Sequence, residues 1–204
     1  MNLENIVFIG HATFKIVGSK VVYTDPFKIK NQDKSDIILI THSHFDHCSP
    51  DDITKLLGDD TTTVCSKDCV EKLKKIVPHV IGLEPYDEAN VQGVHIKAVP
   101  AYNINKEFHP KSNKWNGYIF TLDGTSYYLP GDTDLIPEMK DIKADIAFFP
   151  VGGTYTMDAE EAAEAAKIIG PKVAIPMHYG SIVGSNNDAE KFLKLVGDIG
   201  HIIN

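Results

Sequence analysis

Asp36-Ile37-Ile38-Leu39-Ile40-Thr41-His42-Ser43-His44-Phe45-Asp46-His47 is the stretch on which the fold turns. Residues 36–41 form a near-continuous apolar run of strand length, the pattern of a strand covered on both faces. Directly after it, three imidazoles and a carboxylate fall within residues 42–47. Neutral imidazole nitrogen and carboxylate oxygen are ligands that divalent zinc, iron and manganese accept, and a loop at a strand end can turn them toward one point. His42 and His44, two apart, can converge on one ion while Asp46 and His47 face another. A solvated surface loop would give an apolar strand nothing to present.

Upstream, short β-rich runs at 6–9, 13–17 and 20–24 predict an antiparallel start, with Gly18-Ser19 as a hairpin turn. Downstream, Ser49-Pro50-Asp51-Asp52 places a capping Ser before a Pro and acids in the first turn, and predicts a helix through Leu57. Ser66 is read as the cap of a second helix carrying Val70, Leu73, Ile76 and Val77, stopped by Pro78. The second half predicts strands at 94–99, 117–122, 125–129, 144–149 and 172–176. Asp158 with Glu161 forms a capping box for a helix ending at Gly170-Pro171, and Asn187 with Glu190 begins another ending near Gly197. Strands followed by strand-helix alternation occur twice. An α/β fold of four layers, αββα, with two sheets face to face and helices outside, buries both kinds of element, and residues 1–204 are read as one domain.

The chain has 204 residues, 43% hydrophobic, and a formal charge of −8; all 20 basic residues are Lys. An acidic surface without guanidinium forks is poorly suited to polyanions, so nucleic acid is not an expected partner. Residues 1–10 lack the pattern of a signal peptide, no apolar run reaches roughly twenty residues, and the three cysteines lack C-x-x-C spacing. A cytoplasmic protein with reduced thiols and no membrane span is therefore expected, and a homo-oligomer is compatible with this reading. His79, His95 and His201 read as surface residues.

The His42-x-His44-x-Asp46-His47 motif resembles that of the metallo-β-lactamase superfamily. Further stations agree in order: Tyr23-Thr24-Asp25-Pro26, Gly131-Asp132-Thr133 and Pro176-Met177-His178-Tyr179. Ile9-Gly10-His11-Ala12-Thr13-Phe14 is similar to the branch containing ascorbate-6-phosphate lactonase and N-acylphosphatidylethanolamine phospholipase D. The resemblance implies the αββα sandwich and a binuclear site for two divalent ions, zinc foremost, with manganese or iron as alternatives. His42, His44 and a third ligand would hold one ion, and Asp46, His47 and His178 the other, with Asp132 bridging. Asp25 would lie beneath the metals and accept from a ligand imidazole. The resemblance places His11 at the cleft mouth, while its residue type also suits a buried hydrogen-bonded histidine.

One station departs from the family pattern, because the place of a further His ligand here reads Val99-Pro100-Ala101-Tyr102-Asn103. Amide oxygen is a weak zinc ligand, so His109 is preferred as the replacement, with Asn103 behind it or ligating through its amide. From Tyr102 to Trp115, the residues Tyr102, Lys106, Lys111 and Trp115 are candidate contacts for an anionic head group. The expected activity is metal-dependent hydrolysis, in which a metal-bound hydroxide attacks a small, anionic ester, lactone or phosphodiester, with Asp46 and Asp132 as the catalytic carboxylates. A di-iron oxidoreductase and a non-catalytic metal-binding protein are the alternatives on the same fold; a nuclease is disfavoured by the short chain without arginine.

Overall fold

The computed structural model describes residues 3–30 and 32–203, so Met1 and Asn2, the start of the stretch read for a signal peptide, lie outside the described residues. Two six-stranded sheets divide the chain in half. The first runs in chain order through β1 (Ile6–Gly10), β2 (Thr13–Val17), β3 (Val21–Thr24), β4 (Ser35–Ile40), β5 (Leu57–Ser66) and β6 (His79–Leu83). The second holds β7 (Glu88–Val91), β8 (Val94–Pro100), β9 (Asn116–Leu122), β10 (Thr125–Leu129), β11 (Ile146–Pro150) and β12 (Val173–Met177), also with sequence neighbours side by side. In each sheet the early strands pair antiparallel and the later ones parallel. Hairpins serve the former; the parallel pairs need crossovers, and α1 (Pro50–Leu56) and α3 (Ala159–Ile169) supply two of them.

Side-chain alternation explains why four layers form. Along β4, Ile37 and Leu39 enter the core between the sheets, while Ile38 and Ile40 face a separate core under α1 and α2 (Val70–Leu73). Along β11, Ile146 and Phe148 point to the inter-sheet core, and Ala147 and Phe149 to a third core beneath α3 and α4 (Asn186–Val196). Both continuous apolar runs are thus covered on two faces, and the architecture is the expected αββα sandwich.

Several local readings are corrected. The helix expected from Ser66 to Val77 is a 3₁₀ turn, Lys67–Cys69, followed by the single α-helical turn of α2. The Ser66 hydroxyl donates to Asp68 rather than capping, and the Thr- and Val-rich segment before it extends as β5. β5, β6 and β7 escape a reading from periodicity because β5 opens with Gly58-Asp59-Asp60 and the other two are short edge strands at either end of the sheets. α4 starts one box earlier than expected, capped by Ser185 with Asp188. Among the described residues, no helix is long and apolar enough to cross a membrane.

Candidate metal centre

The His42–His47 segment leaves β4 at the edge of the layer between the sheets, where loops of the second half meet it. Three buried positions outside regular structure carry left-handed backbone: His11 (φ 58°), Asp25 (φ 37°) and His178 (φ 58°). Non-glycine residues adopt this region at a cost of about 1–3 kcal/mol each, and such strain concentrates where side chains must be aimed. The register of β1 against β2 shifts between Phe8 and Gly10, so His11 turns inward just after it. The His178 N–H donates to the His11 carbonyl (2.7 Å), which ties the end of β12 to the first sheet. Gly131 permits the corresponding approach on the other side: at φ 67°, a Cβ there would stand 2.9 Å from both Thr41 Cβ and the Asn116 carbonyl.

Buttressing bonds fix which imidazole nitrogen faces the centre. Asp25 accepts from the Thr41 N–H (2.8 Å), the Thr41 hydroxyl (2.8 Å) and His47 Nδ1 (2.8 Å). Because the Thr41 hydroxyl proton goes to Asp25, the 3.0 Å contact between Thr41 Oγ1 and His42 Nδ1 requires the proton on His42, leaving Nε2 with a lone pair. The same logic operates at Asn103. Its Nδ2 donates to Asp134 (3.0 Å) and to the Tyr155 carbonyl (2.9 Å), so its Oδ1 accepts from the His109 N–H (3.0 Å) and from His109 Nδ1 (3.1 Å). His109 therefore presents Nε2 inward, and Asn103 stands behind it.

What these nitrogens face is carboxylate oxygen. Asp132 Oδ2 lies 3.2 Å from His109 Nε2 and 3.1 Å from His178 Nε2, and its Oδ1 lies 3.3 Å from His47 Nε2. Asp46 Oδ2 lies 2.9 Å from His11 Nε2 and 3.7 Å from His47 Nε2. His47 Nε2, His109 Nε2, Asp132 Oδ1 and both nitrogens of His178 are buried without a hydrogen-bond partner. Lone pairs opposed at this range repel unless positive charge lies between them, and unpaired buried polar atoms are costly. The titration tendencies show the same close gathering of donor and carboxylate groups. Burial lowers the His42 and His44 pKa values, keeping both imidazoles neutral. Burial acts the same way on His47, but Asp132 and Asp25 outweigh it and raise that pKa well above the ordinary value. Burial would raise Asp132, yet His178 and His47 pull it well below the usual carboxylate range.

Among the described residues, three donor groups suited to a cation result, each with its ligand atoms within 4.8 Å of one another: His11, Asp46, His47 and His178; His42, His44 and His109; and His42, His47 and Asp132. All seven ligand candidates named from the sequence are brought together. His11 is not at the cleft mouth: it is buried, 1% exposed, with its ring 4.0 Å from that of His178.

The candidate substrate contacts fall elsewhere. Tyr102, Lys111 and Trp115 line a cavity of about 280 Å³ with Glu84 and Tyr86, whereas the cavity over the donors, about 220 Å³, is lined by His44, Phe45, Asp46, Asp132, Tyr155 and Ile182. Lys106 is paired with Asp134, and Lys111 with Glu138 (2.9 Å) and the Tyr102 hydroxyl (3.2 Å), so internal ion pairs fold the loop and neutralise its cations. Trp115 instead backs the centre, its ring centroid 4.9 Å from that of His42 and 4.8 Å from that of His44, with Nε1 donating to Asp68 (2.7 Å). Reading the sequence missed Thr41, Phe45, Tyr155 and Ile182. The first two sit inside the motif and were recoverable from position; the others arrive through tertiary contact alone.

The sequence profile of the beta-lactamase superfamily domain matches residues 5–178. A UPF0173 metal-dependent hydrolase of Thermococcus onnurineus is 35% identical over 98% of this chain and 96% of its own length. Among solved structures, a Parabacteroides distasonis protein described as a candidate metal-dependent hydrolase superposes with a TM-score of 0.85 at 35% identity, covering 97% of this chain and 91% of that one. Igni18, a metallo hydrolase of Ignicoccus hospitalis, gives a TM-score of 0.78 at 25% identity over 97% and 92%. The chain belongs to the beta-lactamase superfamily and, within it, to the UPF0173 metal-dependent hydrolases.

Proposed function

We propose that the protein is a binuclear hydrolase acting on an acyl or phosphoryl centre of a small substrate. The observation that carries this reading is the convergence of His47 Nε2, His109 Nε2 and His178 Nε2 on the two oxygens of Asp132, with Asp46, His42, His44 and His11 grouped beside them. His42, His44 and His109 would hold one divalent ion, and His11, Asp46, His47 and His178 a second, with Asp132 facing both groups; zinc suits this nitrogen-rich set. Bound there, such ions would supply a water of pKa about 7 and a Lewis acid for a substrate oxygen.

The chain's own residues supply the remainder. Asp25, Thr41 and Asn103 fix the rings of His47, His42 and His109, so the donors need no reorganisation when charge develops. Asp46 borders the substrate cavity with Oδ2 turned toward His11 and His47 among the donors, leaving its other oxygen to take a proton from water and return it to the leaving group. With two divalent ions bound, Asp46, Asp132 and a hydroxide would leave about one positive charge in the cleft, enough to draw an anionic group. Elemental analysis of purified protein with a panel of ester, lactone and phosphodiester substrates tests the reading. Two equivalents of metal and an activity lost on chelation are expected; hydrolysis that persists undiminished in metal-free protein would overturn it.

A further inference from the structure

Facing the donors across their cavity is an apolar wall with no assigned partner. Phe45 is 67% exposed although it stands between two donors, and Ile182 is 39% exposed on the loop after β12. Both line the cavity that holds His44, Asp46 and Asp132, and Tyr155 completes the wall. Phe108, 47% exposed, meets the Tyr155 ring edge-on at 4.6 Å, and Phe27 meets Phe45 in the same manner at 5.9 Å. Exposed large apolar side chains scattered singly need no explanation, but a contiguous group at the mouth of a polar cleft marks a binding surface. Among the described residues no lysine lines this cavity: Lys106 is bound to Asp134, and Lys28, beside Phe27, donates to the Ser181 hydroxyl (3.2 Å).

We infer that Phe45, Tyr155 and Ile182 are specificity-determining residues that bind an aromatic or branched aliphatic substituent of the substrate, adjacent to the bond presented to the donors. The occupant is the substrate rather than a macromolecule because donors and apolar wall share one cavity of about 220 Å³, which accommodates a ring beside a carbonyl and little more. This rests on the hydrolase reading for the position of the reacting bond. The favoured class is a carboxylic ester or lactone bearing such a group, since a phosphate monoester would bring a second negative charge to a wall without cations.

Binding and turnover separate the two ideas. With zinc-loaded protein, calorimetric titration compares benzohydroxamate with acetohydroxamate, whose chelating groups are the same. Benzohydroxamate is expected to bind at least about tenfold more tightly, and Ile182→Ser to reduce that ratio severalfold while leaving acetohydroxamate affinity and metal content unchanged. Phe45→Ser provides a second variant, with metal content measured because its neighbours are donors. Equal affinities, binding of neither compound, or a ratio unmoved in both variants would overturn the inference. Turnover of dihydrocoumarin and γ-butyrolactone is then measured on the same samples: a binding preference without hydrolysis would sink the hydrolase reading alone, and hydrolysis without a preference would sink this inference alone.

Discussion

The two halves of the molecule contribute to the same centre in opposite ways. The first sheet delivers His42, His44, Asp46 and His47 from one turn of chain after β4, with Asp25 and Thr41 beneath them. The second delivers His109, Asp132 and His178 one at a time, from three loops separated by tens of residues. Both halves repeat an antiparallel-then-parallel sheet, so the contrast lies in the loops. A contiguous donor set is ordered by local bonds as the strand ends. The dispersed set depends on tertiary contact: Asn103 holds His109, Gly131 admits Thr41 closely, and His178 is bonded to His11.

Breaking the contact between the halves has the largest expected effect. Asp132→Ala removes the carboxylate that faces His47, His109 and His178, and is expected to lower metal content and to reduce kcat/KM by roughly a thousandfold, measured by elemental analysis and steady-state kinetics. The two buttresses sharpen the contrast. Asp25→Ala leaves the Thr41 N–H, the Thr41 hydroxyl and His47 Nδ1 without their acceptor in a fully buried place. Metal affinity should fall about 10–100-fold, with a loss of about 2–3 kcal/mol in denaturant unfolding. On the proposed allocation Asn103→Ala acts through His109 on one ion, so affinity should fall by about tenfold for one equivalent only; an equal loss of both equivalents would show that Asn103 does not act through His109 alone.

The smallest effect concerns the parallel strands of the second sheet. Asp145 accepts from Lys172 (2.7 Å) and from the Ser126 N–H (3.0 Å), and these bonds lower its pKa to about 2. A carboxylate depressed in the folded state contributes stability that is fully present above its unfolded value of about 4 and disappears as pH falls through about 2. Asp145→Asn should therefore flatten that part of the acid dependence of Tm between pH 2 and 5 while leaving metal content unaltered.

The same contrast explains what was legible. A buried strand and a run of donors are neighbours in sequence, so β4 and its loop could be read directly, and β11 and β12 declared themselves by two-faced apolar runs. The short edge strands β6 and β7 and the truncated α2 could not be read, because edge pairing and one helical turn leave little periodicity. Lys106 and Lys111 looked like free cations because their partners, Asp134 and Glu138, lie more than 25 residues away. His11 looked peripheral because nothing local indicates that its backbone turns inward.

Residue types and their spacing determined by themselves the layered fold and the donor chemistry, and the motifs carried the family resemblance. The tertiary structure decided which atoms face the centre, the place of His11 within it, the position of Asn103 behind His109 and the apolar wall opposite the donors. The physical reason is range: hydrophobic periodicity and donor identity are properties of the local chain. Tautomer, opposed lone pairs and shared cavities arise only where distant segments are packed within a few ångströms.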